Sequence, residues 1–201
     1  MSGQIYAGSS AISTGADFAE YFEWEDGNLN NEDRRGRFVT LSNNKIKLAT
    51  FEDDYVLGAT TTTGAFIGNS ASENWDKKYL KDIFEEIQYE EKTLNIDGNF
   101  YSTEKVPKLN PDYNPEQNYI PRENRPEWSP VGLCGQVIVV DDGTCEVNGY
   151  CCASVNGIAT ALTREKINED IPNALKDYCI REKGFRVIER LDETHIRIVV
   201  K

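Results

Sequence analysis

Five carboxylates, Asp17, Glu20, Glu23, Glu25 and Asp26, fall within ten residues and are interleaved with Phe18, Tyr21, Phe22 and Trp24. Residues of these types in this pattern can do proton chemistry. A carboxyl against aromatic surface has its charged form destabilised, and one beside a second carboxyl holds a shared proton tightly; either arrangement supplies a general acid or base near neutral pH. Local conformation decides which acids cooperate. If "ADFAEY" is a helical turn, Asp17 and Glu20 share a face by three-residue spacing; if "YFEWE" is extended, Phe22 and Trp24 alternate against Glu23 and Glu25. The competing reading is a solvated acidic face, which composition alone favours. Just upstream lies a leader of small residues, "SSAIST", Ser9 to Thr14, suited to an extended thread.

Other chemistries find little support. The single histidine, His195, sits in the alternating segment "GFRVIERLDETHIRIVVK" on the face opposite Ile196 and Ile198, where a strand histidine meets solvent rather than a nucleophile. The glycines form neither GxxxxGK[ST] nor GxGxxG. "DDGTCEVNG" resembles a calcium loop but lacks the alternating acids and closing glutamate, so it reads as a turn. The five cysteines, Cys134, Cys145, Cys151, Cys152 and Cys179, are odd in number and lack the even spacing of a secreted framework, so reduced thiols are expected. A zinc site from Cys145, Cys151 and Cys152 is disfavoured because adjacent cysteines in a strand face opposite ways. A net charge of -12 repels phosphate backbones and anionic lipid, which excludes nucleic acid and membrane as partners. No apolar run approaches the roughly 20 residues of a spanning helix, and the first residues carry no secretion signal. The leader begins abruptly, so further sequence upstream is expected.

The elements around the acids read as short strands. Arg37–Leu41 and Lys45–Ala49 form an expected hairpin across Ser42-Asn43-Asn44. Gly58 and Gly64, inside "DYVLGATTTTGAFIG", mark bends or close backbone approaches. From Ser72, Trp75, Tyr79, Ile83 and Ile87 recur every four residues, which predicts a short amphipathic helix with its stripe in the core. Glu104 to Pro130, rich in proline and asparagine, reads as a long connection anchored by Tyr113, Tyr119 and Trp128, and it could divide the chain into two lobes. Val131–Val140 and Cys145–Ala153 suggest a second hairpin around Asp141-Asp142-Gly143. A helical insertion follows, with Pro172 breaking or beginning it, and Phe185 to Lys201 closes as a hairpin turning at Asp192–Thr194. The expected fold is mainly β with minor α (α+β): short antiparallel hairpins with one or two peripheral helices.

Taken in order, "GADFAEYFEWEDGN", "DDYVLGATTTTGAFIGNSASENW", "YIPRENRPEWSPVGLCGQVIVVDDGTCEVNGYC", "GIAT" and "GFRVIERLDETHIRIVV" resemble the intramolecular chaperone autoproteolytic domain at the C-terminal end of tailed-phage neck appendages and tail spikes, a family classed among glutamic peptidases. The resemblance spans Gly15 to Lys201. Departures are the helical insertion around Ala161–Lys183 and the cysteine-rich Cys145–Cys152, neither of which touches the acidic motif.

The resemblance implies a homotrimer that helps an upstream tail-spike segment of the same chain to assemble in the host cytoplasm and then cuts itself free, just upstream of the acids and after a serine. It places the scissile bond at Ser13-Thr14, with Ser9 and Ser10 as fallbacks, and divides the chain into a leader, 1–14, and an autoproteolytic domain, 15–201. Asp17 and Glu20 are the expected catalytic acids, with Glu23 of a neighbouring subunit as a further contributor. Cleavage calls for no metal or cofactor. ATP-assisted release is implied for some members, and no nucleotide motif is legible here. Two other readings compete: a non-catalytic trimeric capping domain, and a glycan-binding module built on Trp24, Trp75 and Trp128.

Reduced thiols carry a direct test. Melting temperature measured with and without reductant is expected to be unchanged, whereas loss of a structural disulfide would cost about 2 to 5 kcal/mol.

Overall fold

The alternating segments become strands. A computed structural model describes residues 16–70, 77–96, 100–167 and 173–201. They form two compact units, one from the described parts of 1–70 and 125–201, the other from those of 71–124. The strands are β1 (Asp17–Glu23), β2 (Phe38–Ser42), β3 (Lys45–Leu48), β4 (Gly58–Thr60), β5 (Phe66–Gly68), β6 (Tyr89–Ile96), β7 (Phe100–Pro107), β8 (Trp128–Val140), β9 (Tyr150–Ala153), β10 (Ala159–Ala161), β11 (Phe185–Arg190) and β12 (His195–Val200). The one α-helix among the described residues, α1, runs Asn173–Lys183 and begins directly after Pro172. The fold is thus mainly β.

In the first unit ten strands share one sheet in the order β10-β9-β11-β12-β8-β4-β2-β3, with β1 also on β8 and β5 on β1. Every pairing is antiparallel except β1 with β5. The hairpin β2–β3 forms as its sequence predicts, turning through Asn43 at φ +57°. So does β11–β12, which buries Ile196 and Ile198 completely. Gly58 is a close approach: a Cβ there would run into the carbonyl oxygen of Gly132 across the β4–β8 pair.

The hairpin expected between β8 and β9 does not form. β8 pairs with β12, β1 and β4, while β9 pairs with β10 and β11. The intervening Asp141–Gly149 is a folded segment, too long for a tight turn. Asp142 accepts bonds from the amide and hydroxyl of Thr144, and the buried Asp141 carboxylate pairs with Arg190 of β11 at 2.5 Å. The amide of Asn148 then bonds the carbonyl of Val187, which sets β9 down beside β11.

Two apolar clusters flank the sheet. The larger gathers Phe38, Val137, Val139, Val187, Ile196 and Ile198 with their neighbours; the smaller holds Trp24, Val39, Ile46 and Val131. Trp24 is fully buried, donates through Nε1 to Ser129 Oγ at 2.9 Å and lies beneath the Arg34 guanidinium, so it is core and cannot serve a glycan. The cysteines are free. Cys151 lies in the larger cluster with Cys145, while Cys152 turns the other way toward the Thr160 carbonyl, as adjacent strand residues must. Burial pushes the Cys152 thiol up to about 11, which keeps it protonated.

The second unit contains the β6–β7 hairpin. Here two expectations fail. Residues 77–88 are not helical: Lys81 and Ile87 form an isolated bridge around a tight turn, in which Asp82 Oδ1 accepts the amides of Phe84 and Glu86 while Glu85 adopts φ +64°. Asp82 thereby offers the backbone a stronger local alternative to the helix, and Ile83 is left 91% exposed. Ser72 and Trp75 lie outside the described residues. The connection expected over Glu104–Pro130 is shorter, because β7 extends through Pro107 and β8 begins at Trp128. Its turns are held by Asn110 and Asn114, whose side chains accept the amides of Asp112 and Glu116.

Arg190 neutralises a carboxylate whose side chain is fully buried. Arg190→Leu is therefore expected to destabilise the fold by about 3 to 5 kcal/mol, since the uncompensated charge of Asp141 stays behind; chemical denaturation measures this.

Candidate active site

The acidic stretch is a strand. β1 lies between β5 and β8, and its residues alternate: Asp17, Ala19 and Tyr21 are buried, while Phe18 is 52% exposed and Glu20 half-buried. The helical alternative for Ala16–Tyr21 is thereby removed, and Asp17 and Glu20 point to opposite faces. At about 3.3 Å per residue they stand roughly 10 Å apart along the strand. Glu23 shares the parity of Asp17 but lies six residues on, about 20 Å away. Within one chain the three expected acids are not brought together.

Their environments differ as well. Glu20 lays its stem over Gly68 of β5, where a Cβ would come to 3.0 Å from Glu20 Cγ. Glu23 pairs with Lys45 at 2.8 Å, and Glu25 accepts the Ser42 hydroxyl at 2.6 Å. The Arg34 guanidinium, bonded to both oxygens of Asp26, holds that carboxyl at about 2. Asp17 is the exception. It is 3% exposed, and neither carboxylate oxygen makes a hydrogen bond of good geometry. Burial pushes its pKa above the usual aspartate value, and the Thr61 hydroxyl opposes this with a smaller effect.

Two segments distant in sequence build this seat. In β8 the register with β1 slips between Phe18 and Ala19, which face Cys134 and Gly132, leaving Leu133 as the extra residue of a bulge. Gly132 then lies under the carboxyl: a Cβ there would be 2.9 Å from Asp17 Oδ2. Gly135, at φ +107°, allows the backbone of Ala16 and Asp17 to pass close by. From the other side comes the segment Thr61–Ala65, whose Thr61 amide bonds the Pro130 carbonyl at 2.9 Å and whose Ala65 amide bonds the Asp17 carbonyl at 2.7 Å. These groups gave no local signal in the sequence; only the glycines of "VGLCGQ" in a strand pattern could have marked the bulge.

Gly135 is also a junction. It is paired with both Asp17, the first residue of β1, and Val200, the last of β12, on the two edges of β8. His195 faces Val140, five residues from Gly135 and about 17 Å along the strand. There it bonds Asp192 and Thr194. A polar cleft of about 330 Å³, lined by Arg35, Arg37, Thr60 to Thr63 and His195, shares Thr61 with the Asp17 seat. A larger cavity of about 490 Å³ near α1 is lined by none of the three acids. Asp141, Asp142 and Cys145 offer donor atoms within 4.8 Å of one another, yet both carboxylates already hold partners in Arg190 and Thr144. Ser13, Thr14, Ser9 and Ser10 lie outside the described residues. Among the described residues no helix is long and apolar enough to cross a membrane.

Fold and site together define a β-rich domain whose first described strand opens on a buried carboxyl with a raised pKa. The sequence profile of the Peptidase_G2, IMC autoproteolytic cleavage domain matches residues 1–191. The pre-neck appendage protein of Bacillus phage B103 is 38% identical over 162 residues, 80% of this chain and 18% of that protein; the phage phi29 pre-neck appendage protein is 37% identical over the same length. A crystal structure of the pre-mature phi29 gene product 12 matches all of this chain and 24% of that one, with TM-score 0.65 and 29% identity. The gene product 12 C-terminal fragment matches 92% of this chain and all of its own, with TM-score 0.60 and 30% identity. The chain belongs to this family of autoproteolytic cleavage domains, and it spans under a fifth of the length of the appendage proteins it matches.

The Asp17 seat makes a pH-dependent prediction. With its folded pKa raised above 3.8, the folded state binds the proton more tightly than the unfolded state. Asp17 therefore stabilises least once pH has risen through the folded pKa, and stability declines between the two values. Asp17→Asn is expected to flatten that part of the stability-versus-pH curve, because the amide does not ionise. Denaturant titrations at several pH values read this directly.

Proposed function

We propose that this domain ends the chain of a phage appendage or tail spike, assembles it as a homotrimer in the host cytoplasm, and then cleaves its own leader at Ser13-Thr14 by carboxylate chemistry. The observation that carries the reading is the buried, unpartnered Asp17 carboxyl at the first residue of β1. Thr14 is three residues from Asp17, so at most about 11 Å of chain separates their Cα atoms. Tethering of this kind supplies the substrate at high effective concentration without any evolved affinity.

In this reading Asp17 carries the proton that the leaving nitrogen of Thr14 needs. A water, or the Ser13 hydroxyl, adds to the Ser13 carbonyl carbon after giving up its proton to a second carboxylate. The C–N bond breaks, and Asp17 delivers its proton to the nitrogen, leaving a Thr14 amine. The water route yields the Ser13 carboxylate at once; the hydroxyl route would have to close a strained four-membered lactone on Ser13 that water then opens, which favours water as the attacking group. Glu20 faces away from Asp17 and Glu23 is distant along the same strand, which favours Glu20 or Glu23 of a neighbouring subunit as the second acid. Cleavage then follows correct assembly, a useful order for a chaperone that must not depart early.

Mass spectrometry of the chain over time tests the mechanism. Asp17→Asn or Glu20→Gln is expected to keep the trimer, measured by light scattering with upstream spike sequence attached, and to slow cleavage at least about a hundredfold. His195→Ala is expected to cleave normally. Ser13→Ala should stop cleavage if the hydroxyl attacks and only slow it if water does. Full-rate cleavage by the Asp17→Asn, Glu20→Gln double variant would sink the carboxylate mechanism, and a chain that never cleaves while remaining trimeric would make this a capping domain.

A further inference from the structure

A buried carboxyl is ordinarily held by hydrogen bonds, and both oxygens of Asp17 lack bonds of good geometry. Shape must therefore hold it. From one side the Thr61–Ala65 segment closes over it, fastened at Pro130 and at the Asp17 carbonyl itself. From the other side lies Gly132, where an added Cβ would come to 2.9 Å from Asp17 Oδ2 and 2.6 Å from Val137 Cγ2. Both are closer than side chains approach, so any residue but glycine must displace the carboxyl, the valine, or both. The bulge at Leu133 supplies the rest, because it breaks the regular ladder opposite the start of β1.

We propose that Gly132 is a positioning residue for self-cleavage, its absent side chain forming the seat that keeps the Asp17 carboxyl inside the sheet beside the leader. The inference rests on the reading of Asp17 as the cleavage acid. It adds that the acid's placement is steric and is set by a residue 115 positions away in the chain. A carboxyl pushed out of this seat reaches solvent, takes back an ordinary aspartate pKa, and no longer holds its proton at the head of β1.

The test uses the full 201-residue chain and separates the two neighbours of the added Cβ. Val137→Ala alone removes the valine methyls and is expected to cleave at the unaltered rate. The Gly132→Ala, Val137→Ala double variant keeps room for the new Cβ on the valine side, so its remaining conflict is with Asp17. Relative to Val137→Ala it is expected to cleave about a hundredfold more slowly, the scale of misplacing a reacting group by about 1 Å. Its pH–rate profile should lose the limb that Asp17 contributes. Carbon-13 NMR titration of the Asp17 carboxyl gives a reading independent of activity: a raised pKa in the Val137→Ala chain, and a return to the ordinary aspartate range in the double variant. An unchanged Asp17 titration there, or a cleavage rate equal to that of Val137→Ala, overturns the proposal. If Asp17→Asn cleaves at full rate, the role of Asp17 as the acid falls, while the titration still decides whether Gly132 seats the carboxyl.

Discussion

The bulge at Leu133, between Gly132 and Gly135 in β8, is the constraint on which the larger unit depends. β8 is the strand against which β12, β4 and β1 all pair. An uninterrupted strand would put Val131, Val137 and Val139 on one face, because side chains alternate with period two. The extra residue reverses the alternation between them. Val131 thus joins Trp24, Val39 and Ile46 in one cluster, while Val137 and Val139 join Ile196 and Ile198 in the other. This reversal falls opposite the first residues of β1.

The same reversal separates Asp17 from the other acids. In a chain of net charge -12, several carboxylates are managed by partners. Asp26 and Asp33 are drawn down to about 2 by the guanidinium groups of Arg34 and Arg35, and Asp192 to about 2 by the Thr194 amide and His195. Asp141 is buried but paired with Arg190. Among the described carboxyls with a clear shift, Asp17 alone moves upward, since the bulge and the Thr61–Ala65 segment exclude water without supplying a counter-charge. An acid that is costly to ionise is a poor structural choice and a suitable proton donor, which makes it a reasonable functional candidate.

Several features were legible because they are local. The hairpins β2–β3 and β11–β12 follow from alternation and turn residues, and the start of α1 follows from Pro172. The helix expected from Ser72 failed over its described part, 77–88, where two descriptions of one segment competed. Its apolar residues recur at helical spacing, but Asp82 captures the amides of Phe84 and Glu86 and converts the stretch into a tight turn. The β8–β9 hairpin failed for a related reason: the Arg190 side chain, from a strand 45 residues beyond Cys145, bonds the Cys145 carbonyl and helps steer the chain after Asp141.

The sequence by itself determined that the domain is mainly β, that its thiols have no even pairing, and that histidine and phosphate-loop chemistry are unsupported. Each is a property of composition or of residues within one turn or hairpin of each other. Tertiary structure decided which carboxylate is distinct. Burial of Asp17 depends on Thr61, Gly132 and Gly135 reaching it across the sheet, and strand geometry turns Glu20 away. Desolvation is set by what lies within a few ångströms in space, and for Asp17 those neighbours come from parts of the chain that no local pattern connects to it.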